Sequence, residues 1–356
     1  MKKYLVTALK IGVSLGIIGY LFWAATRGEQ AREAMGALLK KLPETLARPQ
    51  GWGLLAASLG LCALGVTLTL VRWCYLVRAV GIRLPMHDAM RIGWISYVFN
   101  FLPTGILGGD VLKVVMLAHE RPGNHTKAAA SVVVDRIIGL YLLFVLAAVC
   151  IFITGFWNQE DPQTQWVCPL VLGLTAAGTL VIVVVFLPGV LESRPVAALE
   201  RAPRIGPVVE RLVEAMRMYR RNAPVLIWSS VGSVVLQLVF SVSLWLVARG
   251  LGFDVAYWVF LAVYPIAGTA STIPLNAGPF ELVVVFLYPV ALGLAADTPA
   301  WVAAQQEALI VALGYRLVTM LITPIGLGYY LAGRREVAEV IHEAEVEEGL
   351  RLKDEG

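Results

Sequence analysis

The sequence predicts an all-α polytopic membrane protein with about six full spans and two broken, re-entrant helical hairpins, and three observations carry the prediction. Of its 356 residues, 58% are hydrophobic and 15% charged, against roughly 45–50% and about 25% in soluble domains. Apolar runs long enough to cross a bilayer, which takes about 20 helical residues, recur along the whole chain. Two further apolar segments are interrupted by related motifs, "NFLPTGILGGD" (100–110) and "STIPLNAGPFE" (271–281), each with a carboxylate seven residues after a proline.

The predicted spans are 4–25, 52–76, 128–157, 167–187, 224–248 and 301–331. Lys2 and Lys3 ahead of the first run suit a signal peptide. That run is longer than an h-region of about 7–15 residues, and "WAATRG" lacks a small-x-small cleavage site, so an uncleaved helix is expected. Residues 27–50 read either as an amphipathic helix on the outer leaflet, with Ala34, Leu38, Leu39 and Leu42 near helical spacing, or as a solvated connector. The apolar segments 88–119 and 255–296 are the broken ones. Residues 1–333 form one transporter-like domain, with halves at 52–157 and 224–331, and 334–356 form an acidic cytoplasmic tail.

Basic residues orient the spans. The linker 188–222 holds Arg194, Arg201, Arg204, Arg211, Arg217, Arg220 and Arg221, whereas 158–166 and 250–300 hold no Lys or Arg. The linker is therefore cytoplasmic, together with both termini and Arg72, Arg78, Arg83 and Arg91, in a cell inner (plasma) membrane. The first broken segment then dips in from the cytoplasm and the second from outside. This is an inverted repeat, the layout in which transporters place a site between broken helices.

Proline ends a helical hydrogen-bond ladder and glycine permits a sharp turn or close approach. Pro103 with Gly105, Gly108 and Gly109 thus forms one break, and Pro274 with Gly278 and Pro279 the other, with Asn100 and Asn276 as further candidates in these motifs. Asp110 and Glu281 fall where each second half-helix begins. There a carboxylate either caps the helix or, being ionisable at membrane depth, faces a substrate path. Each half also carries an arginine in its next long span: Arg136, beside Asp135, and Arg316. An arginine in such a place wants a carboxylate or a phosphate. Asp110 with Arg136 and Glu281 with Arg316 are the internal pairs, and crossed pairing is equally allowed. These residues, from Asn100 through Arg316, are the candidate substrate-binding set.

In these segments the chain resembles the flippase-like membrane region of lysylphosphatidylglycerol synthases, which also occurs as a stand-alone membrane family. "VRWCYLVRAVG", "NFLPTGILGGDVLKVVMLAHE", "ASVVVDRIIGLYLL", "TIPLNAGPFELVVVF" and "YRLVTMLITPIGLGYYL" carry the resemblance, which covers 1–331. It implies a lipid-handling protein, with Asp110 as the acid of the first motif, Asp135 and Arg136 as an acid–arginine pair, and Glu281 and Arg316 as partners in the second half. The second motif departs from the family's usual proline-glycine-glycine-leucine-glycine: Asn276 and Pro279 stand in "PLNAGPFE". The resemblance does not extend to the synthases' aminoacyl-transferase module.

Three classes of function remain. The first is a lipid transporter or flippase moving a phospholipid or lipid-linked headgroup between leaflets. The second is an accessory membrane subunit for a separately encoded synthase or glycosyltransferase. The third is a membrane-embedded lipid transferase. Against enzymatic readings, the chain has no G-x-S-x-G or H-E-x-x-H, and His87, His119, His125 and His342 lack ligand spacing. Cys62, Cys74, Cys150 and Cys168 lie in or beside apolar runs without paired spacing and read as core residues. No nucleotide loop is present, so neither cofactor nor metal is expected. The net charge of +4 gives no reason to invoke nucleic acid.

Overall fold

The structure, a computed structural model, describes residues 2–25, 47–101, 108–155, 162–187, 206–220, 222–270, 277–296 and 298–334, with short runs between them. Among these residues the regular elements are helices and no strand occurs. We number the main helices α1 (Lys2–Ala25), α2 (Pro49–Ala79), α3 (Met86–Phe101), α4 (Gly109–Glu120), α5 (His125–Thr154), α6 (Pro162–Phe186), α7 (Gly206–Arg220), α8 (Ala223–Gly250), α9 (Tyr257–Ala270), α10 (Pro279–Ala291), α11 (Pro299–Leu321) and α12 (Thr323–Ala332).

Five described stretches are long and apolar enough to cross a membrane: Pro49–Ala79, His125–Thr154, Gln165–Phe186, Ala223–Gly250 and Pro299–Ala332. They coincide with five of the expected spans. The remaining one is helical as α1, with its described apolar stretch at Gly12–Trp23. Many of these residues are β-branched, yet they form helices, because only a helix or a closed barrel satisfies every backbone N–H and C=O in hydrocarbon. α6 turns its apolar side chains outward: Trp166, Leu170, Leu180 and Val181 are all exposed. Lipid, rather than protein, is the natural neighbour of that surface.

One expected span is divided. Residues 301–331 were read as a single helix, but the chain turns at Ile322 between α11 and α12. Pro324 has no N–H to continue the ladder of α11. The two interrupted segments are helical hairpins, with arms of 16 and 12 residues in α3 and α4 and of 14 and 13 residues in α9 and α10. At 1.5 Å per residue no arm reaches across a hydrocarbon core of about 30 Å.

The described chain falls into two compact units. One comprises Met1–Val66, Gly139–Gly178 and Ser233–Ile322; the other comprises Thr67–Ile138, Thr179–Gly232 and Thr323–Gly356. Their division falls within α2, α5, α6 and α8. In the first unit, α9 packs on α10, α10 packs on α11, and α1 lies along both α10 and α11. A buried polar knot ties α2 to α8 there: the Ser58 and Ser243 hydroxyls lie 2.7 Å apart, and Cys62 Sγ is 3.0 Å from Ser243 Oγ.

In the second unit, α3 pairs with α4 and α12 lies on α3. Its apolar core gathers Trp73, Leu76, Ile82, Leu84, Ile92 and Leu112. Val337 and Val340 join that core with almost no exposure, so the segment beyond Arg334, expected to be a wholly soluble tail, begins as packed structure. Most of 27–50 and all of 341–356 lie outside the described residues. The last carbonyls of α2 have no partner within the helix. The linker supplies donors: the Tyr219 hydroxyl donates a hydrogen bond to the Leu76 carbonyl at 2.9 Å and Asn222 Nδ2 donates to the Ala79 carbonyl at 2.8 Å. Burial, reinforced by the Asp135 charge, pushes the Tyr219 phenol well above its ordinary pKa, so this donor stays protonated.

Tyr219→Phe should therefore cost about 1 kcal/mol and lower the apparent melting temperature of the detergent-purified protein by about 2 °C. An unchanged melting temperature would mean that water or another donor serves Leu76 equally well.

Candidate functional site

Each hairpin ends in a charged cluster, one in each unit. In the second unit, the start of α4 lies against the end of α3. The Gly109 N–H donates to Asn100 Oδ1 at 3.1 Å, and a Cβ at 109 would stand 2.1 Å from the Ser96 carbonyl oxygen. Only glycine permits that approach. It sets Asp110 in the first turn of α4, where its Oδ1 accepts a hydrogen bond from Arg136 Nη2 at 2.6 Å. The pair is accessible, with the Arg136 and Asp110 side chains 58% and 36% exposed.

Asp135, adjacent in sequence to Arg136, faces elsewhere. Neighbours on a helix point about 100° apart, and Asp135 Oδ1 accepts from Arg72 Nε at 2.9 Å in a nearly buried bridge from α5 to α2. Lys113, three residues beyond Asp110, is 5% exposed, with its ammonium 5.3 Å from the centre of the Trp73 ring. Arg91 and Glu120 form a further ion pair between α3 and the end of α4.

In the first unit, Gly278 precedes α10 with φ +114°, a conformation that side chains resist. Its N–H donates to Glu281 Oε2 at 2.7 Å, while Oε1 of the same carboxylate accepts from Arg316 Nε at 2.6 Å. Glu281 therefore caps its own helix and binds the arginine at the same time. It is fully buried, and the Arg316 side chain is 23% exposed. Next to these two residues in sequence, Phe280 stacks on Tyr315 at 5.7 Å, and Tyr264 of α9 meets both rings edge-on.

The family described as "Lysylphosphatidylglycerol synthase TM region" matches residues 7–326. The chain belongs to this family. No curated protein and no solved structure matches it. As a member of the lysylphosphatidylglycerol synthase TM-region family, the chain is a multi-pass helical membrane protein tied to lipid metabolism, and both clusters lie inside the matched stretch.

Of the residues singled out from sequence, Asn100, Gly108, Gly109, Asp110 and Arg136 come together in one cluster, with Asp135 beside them, and Gly278, Glu281 and Arg316 come together in the other. Pairing is internal to each half. Pro103, Gly105, Pro274 and Asn276 lie outside the described residues. Two residues of this family member were missed as site candidates. Arg72 had been read only as a marker of sidedness, although an arginine inside a 31-residue apolar helix needs a partner. Lys113 carries the helical i, i+3 relation to Asp110, which would have found it.

Burial separates the two pairs energetically. Removing one partner of a buried pair costs about 3–5 kcal/mol, whereas replacing both with apolar residues is often neutral. An accessible pair contributes about 0–1 kcal/mol. Glu281→Leu should therefore destabilise the protein strongly in thermal unfolding, and Glu281→Leu with Arg316→Leu should recover most of the loss. Asp110→Asn should shift the transition far less, and equal shifts for the two single variants would contradict this assignment.

Proposed function

We propose that the chain is a lipid transporter that moves a phospholipid or lipid-linked headgroup between leaflets, without catalysing a covalent change. One observation carries the reading. Each half places a carboxylate in the first turn of a short helix after an interrupted hairpin and joins it to an arginine of the next long helix, Asp110 to Arg136 and Glu281 to Arg316. Charges inside apolar helices are costly and mark substrate or ion paths, and arginine holds phosphate two-pronged.

In this reading the segments α2, α3–α4, α5 and α8, α9–α10, α11 are inverted repeats. Chain direction supports it: α2 starts in the unit holding the second hairpin and ends in that holding the first, and α8 does the reverse. The headgroup exchanges with Asp110 at the accessible Arg136, the buried Glu281–Arg316 pair keeps α10 and α11 in place, and the acyl chains stay in lipid. The membrane is the plasma membrane, with both termini cytoplasmic, following the arginine-rich linker.

A second reading, docking of a separately encoded synthase or glycosyltransferase, has one observation in its favour. An open groove of about 440 Å³ is lined by Ala79, Val80, Gly81, Glu214, Arg217, Met218 and Asn222, on the linker side of α2.

Reconstituted in liposomes, the wild-type protein should move labelled anionic or aminoacylated phospholipid or polyprenyl phosphate between leaflets. Glu281→Gln and Arg316→Ala should slow that movement at least about tenfold. Equal movement by all three proteins would remove the pair from the mechanism. Failure of the wild type alone, with recovery on adding a co-purified soluble enzyme, would favour the docking reading.

Sidedness has its own test, made simple because the four native cysteines are buried. In intact cells an impermeant maleimide should label Ala296→Cys and spare Glu214→Cys, both at exposed positions. The reverse pattern would invert the topology.

A further inference from the structure

Resting on the lipid-transport reading, we propose that the Asp110 cluster binds a single phosphodiester anion by partner exchange, with Lys113 receiving Asp110 when the phosphate takes Arg136. Five charged side chains act on one another there, Arg72, Lys113 and Arg136 against Asp110 and Asp135. Two ion pairs use both carboxylates, Arg72 with Asp135 at 2.9 Å and Arg136 with Asp110 at 2.6 Å. Lys113 is the remaining cation. It is 5% exposed, its ammonium rests on the Trp73 face, and it forms no ion pair among the described residues.

A buried ammonium with no carboxylate in ion-pair contact is poorly compensated, since a cation–π contact returns about 2 kcal/mol at best against a desolvation cost of several. With all five groups charged the cluster holds three cations against two anions, and one bound phosphodiester both brings it to neutrality and favours the protonated form of Lys113. A zwitterionic headgroup leaves the surplus in place.

Geometry gives the order of events. Arg136 and Asp110 are the accessible members, at 58% and 36% exposure, so an arriving anion meets that pair first. An arginine fork accommodates two phosphate oxygens, which competes directly with Asp110. The displaced carboxylate has a receiver on its own helix: residues three apart on a helix share a face, with Cβ atoms about 5–6 Å apart, and Lys113 is three residues on. The buried Arg72–Asp135 bridge takes no part in the exchange and holds α5 against α2.

The Glu281 cluster lacks these features. Both oxygens of Glu281 are engaged, and the only other basic residue in 233–322, Arg249, is paired with Asp254.

The test is calorimetric titration of the detergent-purified full chain with dihexanoylphosphatidylglycerol, dihexanoylphosphatidylcholine and inorganic phosphate. The wild type should bind the phosphatidylglycerol at least about tenfold more tightly than the phosphatidylcholine, a difference of about 1.4 kcal/mol. Lys113→Met should abolish that selectivity and Lys113→Arg should retain it; a merely structural role would weaken both lipids alike. Asp110→Asn removes the competing carboxylate and should tighten phosphatidylglycerol binding, which keeps the proposal testable if Lys113→Met fails to fold.

Selectivity kept by Lys113→Met, or weaker phosphatidylglycerol binding by Asp110→Asn, would overturn the exchange. Inorganic phosphate binding as tightly as the lipid would overturn the headgroup assignment. Selective binding through Lys113 without lipid movement in liposomes would sink the transport reading and leave this site standing. Lipid movement without any selectivity would do the opposite.

Discussion

A carboxylate with no exposure must either lose its charge or hold a cation against itself, and Glu281 does the second. The local fold around it follows from that requirement. Arg316 must come from α11 at a fixed height, which settles how α11 stands on α10. The remaining oxygen must find a donor, and the first free N–H of α10, at Gly278, is within reach. That N–H is presented because Gly278 takes a positive φ, so the glycine, the acid and the arginine form one solution to one electrostatic demand. The carboxylate itself has no exposure, which strengthens the ion pair and raises the cost of breaking it.

The other hairpin meets a related demand by closer packing. Its two arms meet at Gly109 of α4, where a single methyl group would collide with the Ser96 carbonyl of α3. Asn100 then does for Gly109 what Glu281 does for Gly278: a side-chain oxygen takes the N–H at the head of a half-helix. Because a neutral amide serves there, Asp110 is released from capping and its charge is available to Arg136. One polar residue, placed on the preceding arm rather than in the following turn, thus changes what the motif's acid is used for.

Much of this was legible in the chain. Long apolar runs announce helices of the right length because lipid allows the backbone few alternatives, and the proline and glycine motifs placed both hairpins. The acid–arginine pairs were legible as a choice between internal and crossed partners, since charge demand tells that a partner exists and not which one. The break at Ile322 was hidden by an apolar stretch that continues to Ala332; Pro324 was its only mark. Arg72 with Asp135 was hidden for another reason: adjacent residues with opposite charges, Asp135 and Arg136, invite being read as a pair, whereas helical geometry turns them to different neighbours. The packing of Val337 and Val340 was masked by the acidic residues around them, which dominate any average over the segment.

The two clusters share a plan and differ in exposure, and the difference bears on what each can do. A bound anion must displace a carboxylate from its arginine. Where the carboxylate is fully buried and also caps its helix, displacement leaves a charge without solvent and an N–H without an acceptor, and both penalties fall at once. Where the pair is accessible and a second cation lies three residues along the same helix, displacement leaves the carboxylate near a receiver and the arginine filled. Repetition of a motif is therefore weak ground for assigning the same task to both copies. Under the proposed transport, the Asp110 cluster is the one built for exchange, and the Glu281 cluster is the one built to hold α10 and α11 together while exchange occurs.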